Sequence, residues 1–249
     1  MQHATILGCR VDAIDSDEAV RRVAELALQG KPSLVVTLGT EMVVHARRDA
    51  RFRDVVNASA LSLCDTIGVK YAARLQGVNV PERVSGVELI EPLCAALAAQ
   101  GTPVYFLGGK GDTAARAAAA LLTRHPNLIV AGARDGYFAA SEEPAVAAVI
   151  AGSGARVLFA GLGSPRQEIF IAERAEETGC AVGIGVGGSF DVLAGNVRRA
   201  PASWRRLGLE WLYRLVREPR RWRRQLALPY FVWLTLCERA GVQSTRRFS

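Results

Sequence analysis

The chain of 249 residues is 50% apolar and carries a formal net charge of +7, enough to bury one large core, or one domain with an appendage. It contains no apolar run near the ~18 residues of a membrane span, and its first residues lack the charged-then-apolar pattern of a secretory signal. Five scattered cysteines, never in C-x-x-C spacing, suit reduced structural thiols, and three isolated histidines offer no metal-ligand spacing. The expectation is a cytosolic body that uses neither metal nor cofactor.

In chain order, Ala4–Leu7 and Cys9–Asp12 read as short strands. Asp15-Ser16-Asp17-Glu18 opens an amphipathic helix, Asp15 and Glu18 standing in capping-box spacing. The Asp15-Ser16-Asp17 run also matches a metal-nucleotide D-x-D pattern, but it opens a helix rather than following a buried strand, so it reads as a cap with helix-dipole acids. Ser33–Thr37 is a continuous apolar strand of the kind buried on both faces, and Gly39-Thr40-Glu41 begins a second helix. Ala60–Cys64 is the next strand, followed by Asp65-Thr66-Ile67-Gly68 and a helix to about Leu75. Gly77–Pro81 is a loop and Glu88–Gln100 a helix. Pro103–Leu107 is a strand that turns through Gly108-Gly109-Lys110-Gly111 into the Ala-rich helix Asp112–Arg124. Leu128–Ala133 is a strand, then Asp135-Gly136-Tyr137 leads to a helix from Ser141. Val157–Ala160 runs through Gly161-Leu162-Gly163-Ser164 into a helix begun by Pro165, and Ala181–Val186 ends at Gly187-Gly188-Ser189-Phe190-Asp191.

Short apolar strands alternating with helices specify an α/β fold: a Rossmann-like, mostly parallel sheet with helices on both faces. Such sheets bind ligands at the carboxyl ends of their strands, and every glycine-rich or polar stretch above follows a strand.

Residues 198–249 differ from the rest. They hold thirteen Arg, no Lys and three acids (Glu210, Glu218, Glu238), a formal +10 that leaves −3 for residues 1–197. All four Trp lie there, Trp204, Trp211, Trp222 and Trp233, at intervals of 7, 11 and 11 that return to nearly one helical face. Arg214, Arg217, Arg221 and Arg224 cluster on a neighbouring face, although Pro219 and Pro229 break the segment into pieces. Tryptophan beside guanidinium suits a membrane interface or nucleic acid. A solvated helix packing its Trp on the body fits the same residues. The division expected is a catalytic α/β domain over 1–197 and a helical, membrane-associating appendage over 198–249.

Single motifs leave choices open. Gly108-Gly109-Lys110-Gly111 suits phosphate approach at a helix N-terminus, yet it is neither G-x-G-x-x-G nor a P-loop. Ser164, Pro165 and Gln167 form a capping box, which a ligand-facing helix start would share. Asp65 is either a helix cap or a general base at the ligand edge. Arg83, in the loop Pro81–Gly86, is either a surface residue or an anion clamp.

Taken together, these stretches resemble the WecG/TagA/CpsF glycosyltransferases (glycosyltransferase family 26) from about Cys9 to Trp233. The strongest matches are Gly161–Glu168, Gly185–Asp191, Ala194–Gly195 with Arg199–Pro201, Leu207–Leu215 and Glu218–Arg221. Thr37–Glu41, Asp65–Gly68, Pro81–Gly86, Gly108–Gly109 and Asp135–Phe138 match more weakly but in the same order.

The resemblance implies metal-independent, inverting transfer of an N-acetylmannosamine-type sugar from a UDP-sugar. The acceptor would be a polyprenyl-diphosphate-linked N-acetylglucosamine on the cytoplasmic membrane face, during surface polysaccharide or teichoic acid synthesis. Some relatives resemble glucosyltransferases, so a related hexose stays open. Asp65 matches the proposed base. Thr37, Arg83 and Gln167 match the nucleotide-sugar pocket, with Thr40, Gly163 and Asp191 on the same stretches. Gly108, Gly109, Asp135, Gly136 and Tyr137 match bordering loops, and Arg214, Arg221 and Arg224 match arginines that close over the diphosphate. Two positions depart from the family: Gly39 stands where Asn is usual, and Thr66 where Gly is commoner. The partners implied are a UDP-sugar, the lipid acceptor and a membrane surface, without nucleic acid; homo-oligomer formation is left open. A nucleic-acid-binding protein and a nucleotide-cofactor oxidoreductase are the competing classes; the first lacks a reader module and the second its full fingerprint.

Overall fold

The computed structural model describes residues 1–201, 203–204, 210–217 and 227–240. It opens on a hairpin, β1 (His3–Ile6) paired antiparallel with β2 (Cys9–Asp12). The turn is made by Leu7 and Gly8, both with positive φ (48° and 85°). Six further strands follow: β3 (Ser33–Leu38), β4 (Leu61–Cys64), β5 (Val104–Gly108), β6 (Val130–Arg134), β7 (Val157–Gly161) and β8 (Val182–Gly185). They form one all-parallel sheet in the order β4-β3-β8-β7-β5-β6. All eight expected strands are present. The edge strand β4 is covered by the hairpin, where the buried Asp12 carboxylate accepts from the Ser62 N–H at 2.8 Å and so satisfies a donor that an open edge would expose.

The helices are α1 (Ser16–Leu28), α2 (Thr40–Ala46), α3 (Ala50–Ala58), α4 (Ile67–Leu75), α5 (Gly86–Ala99), α6 (Thr113–Arg124), α7 (Glu143–Gly152), α8 (Arg166–Glu173), α9 (Ala175–Thr178), α10 (Ser189–Leu193), α11 (Glu210–Arg217) and α12 (Ala227–Arg239). Two apolar cores result, one on each face of the sheet. Leu34, Val36 and Leu38 of β3 enter the first, with residues of α2, α3, α4, α7, α8 and α12. Val35 enters the second, with α1, α5, α6 and α10. This is the Rossmann-like α/β arrangement that alternating strands and helices require.

Local signals act largely as expected. Asp15 caps α1, its carboxylate accepting from the Glu18 N–H at 2.8 Å. The single helix expected after Gly39 is instead two, because Asp49 caps a new start by accepting from the Phe52 N–H at 3.0 Å.

Two C-terminal helices are described, α11 and α12; the break expected at Pro219 lies outside the described residues. Pro229 lies in the first turn of α12, where its missing N–H is not needed. α12 is built into the first core: Phe231 and Leu234 are each 1% exposed. The Glu238 carboxylate accepts from the Leu7 N–H (3.2 and 3.3 Å) and from Gln76 Nε2 at 3.2 Å. Trp204 meets Tyr213 of α11 edge to face, whereas Trp233 stacks on Tyr230 of α12; the tryptophans therefore do not share one helix. Val232, Trp233 and Leu236 leave an apolar strip exposed on α12. Among the described residues, no helix is long and apolar enough to cross a membrane.

Candidate active site

The carboxyl ends of β3, β4, β5, β7 and β8 are followed at once by α2, α4, α6, α8 and α10. The helix starts therefore gather on one sheet edge, and their free N–H groups give it a positive potential before any side chain is counted. Thr37, Thr40, Asp65, Gly108, Gly109, Asp135, Gly136, Tyr137, Gly163, Gln167 and Asp191 all lie on this edge, at or just beyond strand ends.

The floor of the edge is formed by backbones in close approach. Gly108 adopts φ +143°, and a Cβ there would lie 2.4 Å from the Gly161 carbonyl oxygen. The Gly109 N–H donates to that same carbonyl at 3.2 Å, and the Gly136 N–H to the Gly109 carbonyl at 2.9 Å. The loops after β5, β6 and β7 are thus bonded to one another as well as to their own strands.

Gln167 joins the remaining pair. It is 3% exposed, and its Oε1 accepts from the Gly163 N–H (3.2 Å) after β7 and the Gly187 N–H (3.1 Å) after β8. Its Nε2 donates to Glu168 Oε1 at 2.7 Å. Both bonds accepted by Oε1 come from loop amides, so Gln167 shapes the pocket by fixing two loops. The capping box expected at Ser164 is corrected here: α8 begins at Arg166, no side-chain cap bond is made, and Gln167 reaches back four residues to Gly163 rather than three to Ser164. β8 admits this arrangement because a Cβ at Gly185 would lie 2.7 Å from Gln167 Nε2 and 2.8 Å from Glu168 Oε1.

Glu168 is fully buried. Burial pushes its carboxyl up from the ordinary range, against the smaller opposing effect of the Gln167 hydrogen bond, and its Oε2 has no hydrogen-bond partner. A neutral, protonated acid suits that environment.

The nearby polar groups have separate duties. The Thr37 hydroxyl, buried in β3, donates to the Gly185 carbonyl at 2.8 Å and ties β3 to β8. Thr40 is buried at the start of α2. Asp65 follows β4, and its N–H donates to the Leu38 carbonyl at 3.1 Å. Thr66 occupies the N-cap position of α4 and makes no side-chain cap bond. A Cβ at Gly39 would lie 3.6 Å from Asp65 Oδ2 and 3.4 Å from the Thr66 methyl; position 39 therefore flanks the Asp65 carboxylate.

Arg83 reaches the same point. Its Nη1 donates to the Asp65 carbonyl at 3.3 Å. The guanidinium also pairs with Glu88 (3.3 Å) and with Glu210 of α11 (3.4 Å). Arg199 pairs with Glu88 and lies 3.8 Å from Glu210. For Glu88, burial raises the carboxyl pKa, but the Ser85 hydroxyl, Arg83 and Arg199 outweigh it and hold the group below its ordinary value.

Around the rim, the Asp135 carboxylate accepts from the Tyr137 N–H at 2.9 Å, and the Tyr137 side chain stands 76% exposed. Arg166 secures this loop, donating to the Gly136 (3.2 Å) and Phe138 (2.8 Å) carbonyls with its guanidinium 4.3 Å from the Phe138 ring centre. Asp191 accepts from Asn196 Nδ2 at 3.2 Å, and the same nitrogen donates to Thr113 of α6. Among the described residues, no three His, Cys, Asp or Glu come together in a metal-holding group. Arg214 stands in α11 with its side chain outside the described residues, and Arg221 and Arg224 lie outside them entirely.

The family model described as the glycosyl transferase WecG/TagA/CpsF family matches residues 4–245. The chain belongs to this family. A WecG/TagA/CpsF glycosyltransferase takes a sugar donor and an acceptor. Four residues that shape the sheet edge, Arg166, Glu168, Arg199 and Glu210, lie in stretches that carry the resemblance but were not singled out as site residues. Glu210 had a further signal, being one of only three acids in a segment with thirteen arginines. Nothing local marked Glu168 as buried, since a glutamate in a helix ordinarily faces water.

Proposed function

We propose that this glycosyltransferase moves N-acetylmannosamine, or a related hexose, from a UDP-sugar to a polyprenyl-diphosphate-linked N-acetylglucosamine. The transfer inverts the anomeric centre, needs no metal, and takes place with the protein held peripherally on the cytoplasmic face of the cell membrane. The observation that carries the mechanism is Asp65, a carboxylate at a strand end on the edge where the helix starts gather. As the acceptor hydroxyl oxygen bonds to the anomeric carbon, Asp65 takes its proton and the bond to the UDP oxygen breaks. One base suffices for inversion, whereas a retaining hydrolase places two carboxyls ~5 Å apart.

The departing diphosphate needs positive charge. Helix N-termini supply part of it, and Arg214, Arg221 and Arg224 the rest, because guanidinium forks match phosphate oxygens. Arg83 is already paired with two carboxylates, so its part is to orient the Asp65 turn as well as to meet donor. The exposed Val232, Trp233 and Leu236 strip supports lipid contact, since Trp favours the headgroup level. Gly39 leaves room beside Asp65 that an Asn would fill, which keeps the donor choice between N-acetylmannosamine and a related hexose.

A UDP-release assay across UDP-sugars, with a short-chain polyprenyl-diphosphate-N-acetylglucosamine as acceptor, tests the reading. Release should require both substrates and be fastest with UDP-N-acetylmannosamine or one related hexose donor. Asp65→Asn should keep UDP binding but turn over at least ~100-fold more slowly, the scale of a lost general base. Near-normal turnover would remove Asp65 from the chemistry.

A further inference from the structure

Arg83, Glu88, Arg199 and Glu210 form a closed ring of alternating charge. Arg83 pairs with Glu88 and Glu210, and Arg199 pairs with the same two acids. The four come from three separate parts of the chain: the loop before α5 and its first turn (Arg83, Glu88), the segment after α10 (Arg199), and the first residue of α11 (Glu210). Their side chains are 16–28% exposed, so the pairs are screened less than surface ones. The ring reaches the backbone that carries the candidate base, because the Arg83 nitrogen that faces Glu210 also donates to the Asp65 main-chain carbonyl.

The location matters because of the charge around it. Residues 198–249 carry thirteen Arg, yet the residue of that segment placed between Arg83 and Arg199 is an acid. An arginine at position 210 would be repelled there, and an apolar residue would leave two guanidinium groups sharing Glu88. A glutamate at the start of α11 accepts from Arg83 at 3.4 Å, lies 3.8 Å from the Arg199 Nε, and suits the positive end of the helix dipole.

We infer that Glu210 is a positioning residue for transfer: through Arg83 and Arg199 it docks α11 beside the Asp65 turn. The inference rests on the transferase reading above and goes beyond it, since it assigns the docking to an acid rather than to the arginines. Glu88 anchors the body side of the dock. Position 214, one helical turn beyond 210, is carried to the edge by the same contact.

The test uses the full-length chain with UDP-N-acetylmannosamine and the short-chain lipid acceptor, comparing wild type with Glu210→Gln, Arg199→Met and Asp65→Asn. Glu210→Gln keeps shape and one acceptor oxygen but removes the charge. It should lower kcat on the order of 10- to 100-fold, the scale of a small misplacement, and leave the donor KM within about twofold. Hydrogen exchange over 210–217 should quicken while exchange over the sheet stays unchanged, and Arg199→Met should reproduce both effects. A purely structural Glu210 would instead quicken exchange throughout the body, and that result overturns the inference. So does a Glu210→Gln enzyme that turns over as fast as wild type, or faster. If Asp65→Asn is inactive in those cases, the dock alone fails; if Asp65→Asn is also fully active, the transferase reading of this edge fails with it.

Discussion

The strand-end edge and the C-terminal segment are held by different forces. At the edge, Gly108, Gly109, Gly136 and Gly161 bring backbones within hydrogen-bonding reach, and Gln167 fastens the loop after β8 to the one after β7. Such contacts tolerate almost no displacement, which suits a surface that must place a sugar and a base to within a fraction of an ångström. α11 is held by carboxylate–guanidinium pairs of 3.4 and 3.8 Å, which depend less steeply on position than close backbone contacts do. α12 adds an apolar anchor. The molecule thus combines a closely fixed edge with a C-terminal helix held by more adjustable contacts; under the proposed function the first would orient the donor and the second would meet the lipid acceptor.

That contrast can be strained from either side. The largest effect should come from Phe231→Ala, which empties a fully buried site between α12 and the body and should destabilise the fold by about 3–4 kcal/mol. Denaturant melts followed by both fluorescence and circular dichroism should show one shared transition. If α12 detached alone while the sheet melted unchanged, the anchor would belong to a separate unit and the contrast would need redrawing.

Next comes Glu168→Gln, which should stabilise the protein increasingly as pH rises. Below the ordinary carboxylate pKa both folded and unfolded wild type are protonated at residue 168, so the two proteins differ little from this cause. Above it the unfolded chain ionises first while burial keeps the folded carboxyl protonated. Wild type therefore loses stability relative to the variant until the folded group also ionises. Melts from about pH 4 to about pH 8 that show a constant difference would mean that Glu168 is not held neutral beneath the edge.

The smallest structural effect belongs to Gly39→Asn. Position 39 has φ −102° and ψ 165°, open to any residue, and its Cβ neighbours stand at ordinary contact distance. Stability should stay within about 0.5 kcal/mol, as at an unstrained site. The ratio of turnover with UDP-N-acetylmannosamine to that with UDP-glucose should rise. An unchanged ratio would place donor selection elsewhere on the edge.

Much of this was legible in the chain. Apolar runs such as Ser33–Thr37 and Val157–Ala160 locate buried parallel strands because nothing else in a domain of this size needs such sequences. Glycine-rich stretches after them locate the edge, since only glycine lets those backbones meet. What stayed hidden depended on partners distant in sequence. The spacing of Ser164 and Gln167 fits a capping box, yet Gln167 serves Gly163 and Gly187, a choice made by β8 lying alongside α8. The break before α3 turns on Asp49, one polar residue among several. In the C-terminal segment, counting charge draws the eye to thirteen arginines, whereas two of its three acids, Glu210 and Glu238, reach the body beside a single described arginine contact, Arg199 to Glu88.

Glu238 also bears on how the molecule is assembled. Its hydrogen bond to the Leu7 N–H spans 231 residues, so the first hairpin and the last helix complete each other. During synthesis the hairpin emerges early, but its turn amide and the apolar faces of α2 and α4 must wait until nearly the whole chain has been made. Closing so long a loop adds little entropy beyond a shorter one, yet it comes late, because contacts of high sequence separation form slowly. A chain cut short before α12 exposes the Phe231 and Leu234 sites and lacks this closure, making it prone to aggregation and degradation. Stable protein is therefore expected to accumulate only from chains translated through α12, past the arginine-rich stretch.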